Sequence, residues 1–108
     1  MEMAMIQTTT DFIPNKKITQ ILGVVRGNTI RSRGVGGHFV AGIQGIFGGE
    51  ISAYVTSLNE AREEAIQRMV QEAEKLNADA ILNVRFVTSE VMPYAAEILA
   101  YGTAVKLG

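Results

Sequence analysis

The chain has 108 residues, with ten Lys and Arg against eleven Asp and Glu, one His and no Cys. That length suits one domain, residues 1–108, with a modest core, and a net charge of −1 with a pI near 5.8 gives no basic field to favour nucleic acid. The lack of cysteine excludes disulfides, thiolate metal sites, iron–sulfur ligation and a cysteine nucleophile.

Met1 to Ile6 lacks the basic start and the long apolar core of a secretory signal. No uninterrupted apolar stretch of about 20 residues is present to span a bilayer. A cytoplasmic protein without stable membrane insertion is therefore expected. Met5 to Thr10 reads as a short extended segment, an edge or swapped strand, closed by Asp11 and the Pro14-Asn15 turn signal. From Lys17 to Arg31 the β-branched residues Ile18, Thr19, Ile21, Val24, Val25, Thr29 and Ile30 predict one long or broken strand, with Gly23 and Gly27 marking a bend or bulge.

Arg33 to Glu50, RGVGGHFVAGIQGIFGGE, sets seven glycines in an apolar run. Gly37-His-Phe-Val-Ala-Gly42 has the spacing of a P-loop's outer glycines, but Ile43-Gln44 stand where the Lys and the Ser or Thr would be, so a nucleotide site is disfavoured. Ala41, Gly45 and Gly49 form a small-residue stripe on a short helix, which suits close packing at an interface, with Phe39, Val40, Ile43, Ile46 and Phe47 supplying burial. The segment lacks the Lys and Arg face of an interfacial membrane helix.

Ser57-Leu58-Asn59-Glu60 fits a capping box and predicts a helix from there to about Leu76. Ala61, Ala65, Met69, Ala73 and Leu76 recur at three- and four-residue steps, Ile66 and Val70 widen that face, and Glu63, Glu64, Gln67, Gln71, Glu74 and Lys75 fill the other. Asn77 can adopt the left-handed conformation that ends a helix. Ala80 to Thr88 alternates, with Leu82, Val84 and Phe86 opposite Asn83 and Arg85. After Pro93, Glu97 to Leu107 predicts a last strand with Leu99, Tyr101 and Val105 on one face and Ala100, Gly102 and Ala104 on the other. The small-residue face would receive the alanine-rich helix.

The order gives an α+β domain: a βαβ crossover followed by an antiparallel hairpin. One helix covers only one face of a small sheet, and Leu99, Tyr101 and Val105 are not polar. The second face and both edges therefore argue for an oligomer.

With Phe47-Gly-Gly-Glu50, Ala61-Arg62, Glu72-Ala73, Ala78-Asp-Ala-Ile81 into Arg85, and Tyr101-Gly-Thr-Ala-Val105 in that order, the chain resembles the YbjQ family across about Ile6 to Val105. This bacterial and archaeal family is uncharacterised and sometimes labelled "putative heavy-metal-binding". The resemblance implies a two-layer βαββ dodecin-like subunit, with a long helix on a small mixed sheet and extra short strands at the subunit boundaries. It also implies assembly with itself into a ring, a homopentamer. It brings no established activity and no cofactor.

A soft metal would want thiolates, and the chain has none. His38 is the only histidine. In a ring, one His38, Glu50 or Glu97 per subunit could become a cluster about the axis, leaving the identity of any metal open. Glu50, after two glycines, could be a functional acid, cap the following turn or pair with Arg62 or Arg85, and the structural ion pair is the preferred reading. Arg26, Arg31 and Arg33, mostly two apart, would line one strand face and could bind an anion or keep that edge soluble. No Ser, His and acid spacing suggests a hydrolase, no acid pair divides into acid and base, and three tyrosines are too few for a stacking platform.

The expected function is thus a non-enzymatic, homo-oligomeric scaffold or binding module with interface residues Phe39, Ile43, Gly45, Phe47, Gly49 and Tyr101. The alternative is a metal or small-anion binder whose site, from His38, Glu50, Arg31 and Arg33, forms between subunits.

Overall fold

A computed structural model of the chain describes residues 5–32, 48–92 and 95–108. In chain order these form β1 (Ile6–Gln7), β2 (Ile18–Ser32), α1 (Gly48–Lys75), β3 (Ala80–Met92) and β4 (Ala95–Leu107). The strands make one mixed sheet in the order β1-β3-β4-β2. β4 runs antiparallel to both long neighbours and β1 runs parallel to β3 at the edge. The crossover, the hairpin and the short edge strand agree with the sequence reading, and the chain is α+β.

The helix lies over β2 and β4. Ala61, Ala65, Met69 and Ala73 are fully buried, and they meet Val25, Ile81, Val84, Ile98, Ala100 and Ala104 from the sheet. Small residues on both layers let the backbones approach closely. Gly27 marks the closest point, where any Cβ would strike the Ala65 carbonyl oxygen and the Met69 amide nitrogen. Gly23 sits at a register shift against β4 with φ +128°, a conformation that L side chains rarely adopt.

Five expectations change. Gly27 marks no bend or bulge, because its pairing with Ala100 lies in an unshifted stretch of register. The Ser57-Leu58-Asn59-Glu60 box does not open the helix, which begins at Gly48. A capping box needs unsatisfied amides, and here the helix continues upstream, so the amides at Asn59 and Glu60 have carbonyl partners. The Asn59 side chain instead accepts from Arg62 Nη1 at 3.0 Å. At about 1.5 Å per residue α1 is therefore roughly 42 Å long.

Leu76 is not buried but 43% exposed. The helix stops at Lys75 in a Schellman turn, with the Asn77 amide on the Glu74 carbonyl at 3.0 Å and the Ala78 amide on the Ala73 carbonyl at 3.1 Å. Asn77 takes φ 60°, as its position predicted.

Leu82, Val84 and Phe86 do not share a face. Asn83, at φ 54°, is the extra residue of a bulge between Leu82 and Arg85. Leu82 packs with Ala80 and Val105, Val84 joins the main core, and Phe86 is 47% exposed.

Val105 is not bare on the second face. The segment after β1 bonds along β3, through Thr8 and Thr10 to Ile81, Asn83 and Val84, and brings Ile13 over Ala80, Leu82 and Val105.

Candidate functional site

The residues singled out in the sequence do not converge within the described part of the protomer. His38, Arg33, Phe39, Ile43, Gly45 and Phe47 lie outside the described residues. Gly49 and Glu50 stand in the first turn of α1, so Glu50 is helical, not part of a turn before the helix. The Glu50 side chain lies outside the described ones; of the partners suggested for it, Arg62 donates to Asn59, and Arg85 Nη1 donates to the carbonyls of Thr9 at 3.2 Å and Val84 at 2.9 Å.

The arginine row does not form as expected. β2 is regular from Gly23 to Ser32, so residues separated by an odd number face opposite sides. Arg31 lies on the helix side and donates from Nη2 to Glu64 Oε2 at 3.0 Å. Arg68 also pairs with Glu64 and donates to the Asn28 carbonyl, so this cluster ties the edge of β2 to the helix. Arg26 lies on the opposite face, directly beside Tyr101 of β4.

A cleft of about 990 Å³ opens where α1 ends, between Lys16, Glu74, Asp79 and Lys106. Its polar groups are mostly structural. Asp79 Oδ2 accepts from the Leu107 amide at 2.8 Å, and Lys106 Nζ donates to the Asn77 carbonyl at 2.9 Å while lying 3.7 Å from Asp79. These bonds staple the helix C-terminus to the last strand. Sequence reading missed this role, because Asp79 carries no pattern of its own until Leu107 is known to be beside it.

The open face of the sheet holds the third group. Ile21, Val24 and Ile30 are 69%, 71% and 61% exposed, Leu99 and Tyr101 are half-buried, and Asn28 Nδ2 donates to Glu97 Oε2 at 2.9 Å. Glu97 is thus held to β2 by a hydrogen bond within the protomer.

Among the described residues no group of three or more His, Cys, Asp or Glu side chains could hold a metal ion. Glu64, Glu72, Asp79 and Glu97 each already face a cation or an amide. With no thiolate in the chain, this donor set does not fit a soft heavy-metal ion. No helix among the described residues is long and apolar enough to cross a membrane.

Comparison with known proteins places this architecture. A crystal structure of a protein of unknown function of the DUF74 family, from Pediococcus pentosaceus, superposes with a TM-score of 0.65 over 96% of this chain and 98% of that one, at 19% identity. The likeness establishes the fold alone. An UPF0145 protein of Archaeoglobus fulgidus is 54% identical over 99% of both chains. Others are 55% identical in Methanosarcina acetivorans, over 95% of this chain and 97% of that relative, and 52% identical in Vibrio parahaemolyticus, over 95% and 98%. The relatives are archaeal as well as bacterial, so the family does not fix a bacterial source. Residues 5–108 match the YbjQ family, described as "Putative heavy-metal-binding", and the chain belongs to that uncharacterised family.

Proposed function

We propose that the protein is a non-enzymatic, cytoplasmic building block that assembles with copies of itself into a closed ring, a pentamer of dodecin-like subunits, and acts as a scaffold or binding module. One observation carries this reading. The 15-residue strand β2 pairs with β4 on one side only among the described residues, and Ile21, Val24 and Ile30 stand exposed along it. A long unpaired apolar edge is a template for another chain, and a contact between two different surfaces of identical subunits closes by rotation into a ring. The opposite edge is also partly free: β1 pairs with β3 only at Ala80 and Ile81.

Burying one Ile or Val is worth about 1.5–3 kcal/mol, so the three together offer a substantial driving force. The non-enzymatic reading draws on the side chains that are engaged in joining layers of the fold, as in the Arg31–Glu64 and Lys106–Asp79 pairs.

Light scattering coupled to gel filtration tests the assembly. Wild-type protein is expected at a closed multiple of 11.7 kDa, and Val24→Asp with Ile30→Asp at the monomer mass with its helix content intact. An unchanged mass in that double variant, or a monomeric wild type, contradicts the reading.

A further inference from the structure

The open face of the sheet carries a row of hydrogen-bond donors without acceptors. Arg26 of β2 and Arg85 of β3 are each the direct register partner of one residue between them, Tyr101 of β4. Directly opposed residues share a face, with Cβ atoms about 5 Å apart. The three therefore form a transverse row whose outer strands are about 10 Å apart. The next residues in register, Gly27 and Ala100, lie against α1, so the row faces away from the helix.

A guanidinium has five N–H donors and no acceptor, and a tyrosine hydroxyl adds one donor. Arg85 commits Nη1 to the Thr9 and Val84 carbonyls on the β1 side of β3, which leaves Nε and Nη2 uncommitted among the described residues. Arg26 and the Tyr101 hydroxyl have no hydrogen-bond or ion-pair partner among those residues. Glu97 lies four residues further along β4, about 13 Å away, and is held by Asn28. Two neighbouring cations with no carboxylate between them repel, and an anion placed between them removes that cost.

We propose that Arg26, Tyr101 and Arg85 form a binding site for a phosphate dianion, either free or as a phosphomonoester. The fork of Arg26 takes one pair of phosphate oxygens, Nε and Nη2 of Arg85 take another, and the Tyr101 hydroxyl donates between them. Two forks and a hydroxyl offer five donors, more than the roughly four lone-pair sites of a single carboxylate, and the oxygens of a phosphate dianion accept them all. In the adjoining row Leu99 and Val87, beside Asn28, supply an apolar floor for an organic substituent. All three side chains come from one protomer, and because Arg26 shares its face of β2 with Val24 and Ile30, the proposal requires the self-contact to leave Arg26 open; binding by the monomeric Val24→Asp, Ile30→Asp variant separates the site from the ring.

The test is calorimetric titration of the whole protein at fixed ionic strength with inorganic phosphate and, separately, with phenyl phosphate. Saturable binding is expected, weakened at least tenfold by Arg26→Gln and several-fold by Tyr101→Phe, and unchanged by Arg62→Gln, which removes an equal charge from the helix. Arg26→Lys, which keeps the charge but loses the fork, should fall in between. Equal affinity for the two probes identifies free phosphate as the ligand, and tighter phenyl phosphate binding identifies a monoester. No saturable binding of either probe, or binding unchanged in Arg26→Gln at an unchanged Tm, overturns the proposal.

Discussion

Gly27 of β2 lies directly beneath Ala65 of α1, with no room for a single methyl group between strand and helix: a Cβ on Gly27 would also come within 2.7 Å of the Arg68 Cβ. The obstructing atoms at Ala65 and Met69 belong to backbone, which cannot swing aside as a side chain can. Gly27→Ala should cost at least about 2 kcal/mol, the upper range for overpacking, read as a lower urea midpoint at unchanged slope. Gly23→Ala meets open space and should cost about 1–3 kcal/mol through its φ of +128° alone.

Met69 is the largest fully buried side chain of α1 and sits in the same contact. Met69→Ala should lose about 2–5 kcal/mol through lost burial and the cavity left behind. A loss below 1 kcal/mol in chemical denaturation would mean that the helix does not pack on the sheet in this register.

Asn77 ends α1 in the left-handed conformation. Asn77→Gly should be neutral or slightly stabilising, while Asn77→Ala should cost about 1–2 kcal/mol because its Cβ crowds the following carbonyl. Thermal melts of the two variants side by side give the sign.

The ion pair Arg31–Glu64 has both side chains more than a third exposed, at 36% and 39%. Water and salt screen such a pair, so Arg31→Gln should cost no more than about 1 kcal/mol, and less in high salt. The same variant should leave phosphate binding unchanged, because Arg31 faces the helix and not the row around Tyr101.

Much of the fold was legible in the sequence because its signals are local. The 3.6-residue recurrence of Ala61, Ala65, Met69 and Ala73, the alternation of Leu99 and Tyr101 against Ala100 and Gly102, and Asn77 as a helix stop all hold. The misreadings occur where a local pattern competes with a longer-range arrangement. Ser57 to Glu60 looks like a helix start, yet the helix already runs through it. One bulge residue, Asn83, moves Leu82 and Val84 to opposite faces, a shift that no periodicity in Ala80–Thr88 signals.

The candidate site was less legible still. Arg26 and Arg31 read as one row, although an odd separation on a regular strand divides them between faces. Arg26 and Arg85 are far apart in the chain and become neighbours only through Tyr101, once the registers of β2 and β3 against β4 are fixed. His38 and the apolar glycine-rich run are informative as sequence, but they lie outside the described residues.

The central claim, that this chain is one unit of a closed homo-oligomer, is tested most directly by native mass spectrometry of the untagged protein followed by the denatured mass of the same sample. The account predicts a single closed multiple of the 11.7 kDa chain, five copies, with the unmodified chain mass on denaturation. A monomer at micromolar concentration would contradict it, leaving the β2 edge and the exposed Ile21, Val24 and Ile30 without the self-contact proposed for them.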